Sequence, residues 1–131
     1  MTRNSAFLAL GFGAFLAISE VMRNWGNWQA WPFWLADFIA AGALVWGGLR
    51  TFSRGSSHLL SAAWGFTGGI FWISSFSHAE ALSQGAAYTY ASGPVPQSML
   101  TLIIGGMHLA AIAGLMMSPS RRPIQELRSR P

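Results

Sequence analysis

Cysteine is missing from the chain, and so is lysine. Without a thiolate there is no disulfide, iron–sulfur cluster, thiolate zinc site or covalent c-type haem. Without a lysine amine no Schiff base to retinal or pyridoxal phosphate can form. Charge is scarce as well: 9% of the 131 residues are charged, against about a quarter in soluble domains. A water-soluble domain this short could not bury the 52% of residues that are hydrophobic, whereas a bilayer accepts apolar side chains on every outward face. The mean hydropathy of +0.37 agrees. The composition therefore predicts one membrane domain.

The charge that is present is lopsided. All eight basic residues are arginines, set against four acidic ones. Clustered arginine can mark nucleic-acid binding. Here, however, Arg3, Arg50, Arg54, Arg121, Arg122, Arg128 and Arg130 flank apolar segments, with Arg23 apart from the rest. Such placement sets membrane orientation, so no nucleic-acid partner is expected.

Four apolar runs cover about residues 5–23, 32–49, 58–82 and 98–117. At 1.5 Å per residue each matches a hydrocarbon core of about 30 Å. The first resembles the n- and h-regions of a signal peptide, with Ala17 and Ser19 as a small-x-small site. Glu20 and Arg23 nevertheless end it as a helix terminus would, so we expect it to be kept as a span. Pro32 suits the first turn of the second span, and Thr51 to Ser57 is expected to be a polar loop. Gly93, Pro94 and Pro96 mark residues 85–97 as a loop or re-entrant turn. The expected fold is all-α: a polytopic protein with four transmembrane helices in a compact bundle, a single domain over residues 1–118. Residues 119–131 are expected to form a basic cytoplasmic tail. Seven arginines lie on the side of the termini and one on the other, which predicts both termini inside and a bacterial inner membrane as the location.

Small residues four apart let helix backbones approach in lipid. Each span has such a row: Ala9, Gly13 and Ala17; Ala36 with Ala40 and Ala43 with Gly47; Gly65 and Gly69; Gly106, Ala110 and Gly114. At 100° per residue, Glu20 shares the face of Ala9 and Gly13, and Asp37 that of Ala41 and Gly48. In the third span Thr67, Phe71, Ser74 and His78 form one stripe, roughly opposite Gly65 and Gly69. In the fourth, His108 lies nearly opposite the glycine row. The third and fourth spans thus present two faces each to protein, which predicts a protein partner or a homo-oligomer within the membrane, besides lipid.

Ionisable groups in a span cost about 2.5 to 3.5 kcal/mol each on insertion scales and default to functional candidates. Glu20, Asp37, His78 and His108 all fall in the outer half and are the candidates for a polar pocket. Trp28, Trp31 and Trp34 sit at the same boundary with Trp25, either as an interfacial belt or as pocket walls, and Trp64 is a further wall candidate. For Glu20 the plain alternative is an ion pair with Arg23. His78 and His108 are weak candidates for metal or bis-His haem, since no ligand-spacing signature accompanies them. Arg121, Arg122, Arg128 and Arg130 are expected to meet lipid headgroups. These features point first to a small accessory or structural subunit of a larger membrane complex, able to hold lipid, pigment or quinone. The alternative is a small membrane enzyme or proton-coupled carrier using the outer-half pocket. No catalytic residue, cofactor or substrate is identified by the sequence.

Overall fold

The structure is a computed structural model that describes residues 1–26, 30–85, 88–90 and 93–118. Helix α1 runs Thr2–Asn24, α2 Trp31–Arg54, α3 His58–Ser83 and α4 Gln97–Met117. All four are long and apolar enough to cross a membrane. Between α3 and α4, strands β1 (Tyr88–Tyr90) and β2 (Gly93–Val95) pair antiparallel, Tyr88 opposite Val95. This ribbon stands where a loop or re-entrant turn was expected.

The helix boundaries extend slightly past the apolar runs. Helix α2 continues through Thr51 to Arg54, residues expected in the loop, because polar side chains at a membrane surface do not oppose helical backbone. Its end is set by Gly55, whose φ of 65° is left-handed and whose N–H bonds the Thr51 carbonyl. At its start Pro32 occupies the first turn, where its missing N–H leaves no bond unmade.

Consecutive helices run antiparallel, α1 on α2, α2 on α3, α3 on α4, and α1 also meets α4. The core is a seam of Ala6, Ala9, Phe12 and Leu16 from α1, Ala40, Ala41 and Leu44 from α2, Leu60, Ala63, Trp64 and Phe71 from α3, and Ile104 and Ala111 from α4. Phe7, Phe15, Ile18, Trp46, Ile73, Leu102 and Leu109 face outward. An apolar exterior around a thin apolar core is the pattern of a chain dissolved in hydrocarbon rather than in water.

The small-residue rows divide in two. Gly13 lies against the Ala41 carbonyl and the Val45 side chain, Gly48 against the Ala6 carbonyl, and Gly47 against the Leu60 backbone, so the α1 and α2 rows bring helices together. Gly65, Gly69 and Gly106 have open space where a side chain would be, so their expected packing role does not hold within the chain. What replaces it is Trp64. Its indole is fully buried, lies over Gly114, and occupies the space between α1, α3 and α4. The core face of α4 therefore follows Gln97, Leu100, Ile104, Ala111 and Gly114, between the two faces weighed from the sequence.

Candidate functional site

Helix α1 turns Leu16 and then Glu20 inward on successive turns, which carries the Glu20 carboxylate out of solvent at 3% exposure. A buried carboxylate needs a counter-charge and donors. Arg23, one turn on, supplies the first: its Nη2 donates to Glu20 Oε2. Asn24 supplies the second, its Nδ2 donating to Glu20 Oε1 at 2.7 Å and to the Glu20 carbonyl at 2.9 Å. The same Nη2 lies 3.4 Å from Asp37 Oδ2, so one guanidinium is shared by carboxylates of α1 and α2. At that length the contact to Asp37 is more Coulombic than a hydrogen bond of good geometry.

This triad caps one end of a cavity of about 370 Å³ between α1, α3 and α4. The walls are mostly apolar, among them Leu16, Ile70, Phe71, Leu100, Ile104 and Met107, with Ser19 and Ser74 also lining the cavity and Val95 of β2 at its edge. Phe15, Met22 and Ile103 line the cavity and are also exposed on the outer surface, so it opens sideways between α1 and α4. The hydrogen bond that ties those two helices, Ser5 to the Gly114 carbonyl, is at the far end. A cleft with oily walls, a lateral mouth and an ionic end can take an amphipathic molecule from the bilayer without exposing it to water.

His78 lies at the same end of the bundle but belongs to the α3–α4 seam. Gln97 Nε2 contacts His78 Nδ1 at 2.8 Å and donates to the His78 carbonyl at 3.0 Å. With the amide donating, Nδ1 is the acceptor and the ring proton sits on Nε2. Thr101 Oγ1 donates to the same carbonyl at 3.2 Å. His108 is deeper on this seam, its ring edge-on to Trp72 at 5.6 Å between centroids. Trp72 precedes His78 by six residues, about 9 Å along the helix, so the two imidazoles are offset rather than opposed.

The structure thus joins Glu20 with Asp37 and leaves His78 and His108 outside their cluster. No group of three or more His, Asp or Glu gathers as a metal-ligand set among the described residues. Trp31 is exposed at the triad's end of the bundle, and Trp34 is half-buried against Phe38. Trp64 does not line the cleft; its indole N–H donates to Ser5 Oγ at 3.0 Å in the core. Trp28, Arg121, Arg122, Arg128 and Arg130 lie outside the described residues.

Four partners were not evident in the sequence: Asp37 as the second carboxylate on Arg23, Gln97 and Thr101 on His78, and Ser5 beneath Trp64. Each bond spans two helices, and only the Glu20–Arg23 spacing carried a local signal. No protein-family model, curated protein or solved structure matches the chain.

Proposed function

We propose that this chain is a small non-catalytic membrane protein whose α1–α4 cleft holds an amphipathic, lipid-like molecule, and that it serves as an accessory subunit of a larger membrane assembly. The observation that carries the reading is the laterally open apolar cavity ending at Glu20, Arg23 and Asp37. Its volume of about 370 Å³ suits a ring system or a stretch of acyl chain rather than a whole phospholipid. At the polar end two carboxylates face one guanidinium, so acceptors are in excess. A hydroxyl or amine head therefore fits better than a carboxylate or phosphate. The arginine distribution supports both termini on the cytoplasmic face of a bacterial inner membrane, with the cleft's polar end at the outer leaflet.

Transfer of native membrane directly into nanodiscs, followed by mass spectrometry and an absorption spectrum, tests both parts. The reading expects one amphiphile per chain and a co-purifying subunit. An empty, monomeric chain overturns it.

The shared guanidinium favours a second reading, a small membrane enzyme or proton-coupled carrier in which Asp37 gives up or takes a proton as Arg23 shifts between carboxylates. Loss of transport or turnover in Asp37→Asn, with folding intact, would favour this reading over the first.

A further inference from the structure

Helix α2 buries Ala40, Ala41, Leu44, Gly47, Gly48 and Thr51 and turns its opposite face outward at the end remote from the cleft. There Trp46, Leu49, Arg50, Ser53 and Arg54 line a second recess, of about 370 Å³. Side chains four apart on a helix are neighbours, so the Arg50 and Arg54 guanidiniums can close on one ligand. Among the described residues the ion pairs belong to Arg23, and neither Arg50 nor Arg54 takes part in one. Arg54 occupies the last turn, where the helix end carries partial negative charge, and Arg50 adds a second cation beyond that compensation.

The order of groups along the helix is informative. Trp46 and Leu49, both exposed, lie toward the middle of the span; Arg50, Ser53 and Arg54 follow toward its end. That sequence, flat apolar surface, then guanidinium, hydroxyl and guanidinium, matches acyl chain, glycerol and phosphate read outward from a bilayer. A guanidinium fork matches phosphate oxygens bidentately. A free phosphate ion would use the two arginines but leave the Trp46 and Leu49 surface without a role. We propose that this recess is a binding site for the phosphate headgroup of one anionic phospholipid, whose acyl chain lies along Trp46 and Leu49. It is independent of the cleft at the other end.

The test is native mass spectrometry of the full chain in neutral detergent, titrated in separate arms with phosphatidylglycerol, phosphatidylcholine and inorganic phosphate. One phosphatidylglycerol per chain is expected, bound at least ten-fold more tightly than phosphatidylcholine and not displaced by millimolar phosphate. R50Q/R54Q should abolish that preference, and W46A should weaken phosphatidylglycerol several-fold. Arg3 and the tail arginines remain to hold the orientation, and an unchanged circular dichroism melt would show that the fold is intact. Equal binding of both lipids, preference surviving in R50Q/R54Q, or displacement by inorganic phosphate would each overturn the assignment. R50K/R54K keeps the charge without the fork and should retain only part of the preference, so full retention counts against the bidentate site.

Discussion

Trp64 lays its indole on the bare Cα of Gly114, and no side chain on that glycine could share the space. The contact is fixed from α1, where Ser5 Oγ accepts from the Trp64 N–H at 3.0 Å and donates to the Gly114 carbonyl at 2.7 Å. Three helices therefore meet at one hydroxyl. Since hydrocarbon outside the bundle is as apolar as leucine inside it, close packing and internal hydrogen bonds of this kind carry most of the association.

Gly114→Ala should be among the most damaging small substitutions in the chain. The added methyl must displace a fully buried ring, and overpacking of that kind costs about 1–3 kcal/mol. Thermal unfolding in detergent should show a clearly lowered Tm. An unchanged Tm would mean that the indole does not rest on Gly114.

Ser5→Ala strands the Trp64 N–H in the core, a loss of about 1–3 kcal/mol. Trp64→Phe in the Ser5→Ala background removes the stranded donor and should recover part of the loss despite a smaller ring. A double-mutant cycle with no coupling between the two positions would contradict the hydrogen bond.

Glycines should separate by face. A Cβ on Gly13 would stand 2.9 Å from the Ala41 carbonyl oxygen and 2.9 Å from Val45 Cγ2, so Gly13→Ala should push α1 from α2 and lower the Tm. Gly65→Ala and Gly69→Ala meet nothing within 4 Å and should leave the isolated chain as stable as before, or slightly more so by helix propensity. If Gly65→Leu or Gly69→Leu also leaves migration on native gels unaltered, the proposed protein partner does not cover that face of α3.

The same contrast shows what was legible in the sequence. Length and apolarity located all four helices, and the small-residue rows of α1 and α2 are packing faces, through Gly13 and Gly47, although spacing alone did not say which helix each would meet. The inward turn of Glu20 and the Thr67–Phe71 stripe were also evident, because a polar group in a span has one acceptable direction. The orientation of α4 was not. Gly106 and Gly114 belong to one row by spacing, yet Gly106 is exposed and Gly114 buried, since a single tryptophan on α3 chose which glycine it would cover. In lipid the outside is as apolar as the core, so periodicity marks the buried face only where a polar or oversized side chain breaks the tie. The triad was half legible: Glu20 and Arg23 are three apart, but nothing local joins Arg23 to Asp37 fourteen residues on.

Arg23→Gln should destabilise the protein by leaving Glu20 buried without its counter-charge. Breaking a fully buried pair costs about 3–5 kcal/mol; water reaches about a third of the Arg23 side chain, so a loss of about 1–3 kcal/mol is expected. Adding Glu20→Gln should restore much of it, because two neutral amides can keep a hydrogen bond without an orphaned charge. Chemical denaturation of the single and double variants measures the difference. A double variant no more stable than Arg23→Gln would show that Glu20 is not the group Arg23 neutralises.

Occupancy of the cleft can be separated from stability by blocking its mouth. Ile103 lines the cavity and is 43% exposed at its opening, so Ile103→Trp places a bulky ring there without disturbing the Trp64 contact or the triad. The substitution buries additional apolar surface, so the Tm should hold or rise slightly. The amphiphile proposed for the cleft should then fall to a small fraction of its level in the native chain, while the phosphatidylglycerol proposed for Arg50 and Arg54 should be retained, because that recess lies on the outer face of α2 at the other end. Equal retention of the cleft ligand in Ile103→Trp would place it elsewhere on the protein. Loss of both ligands together would point to a general effect of the variant on lipid association.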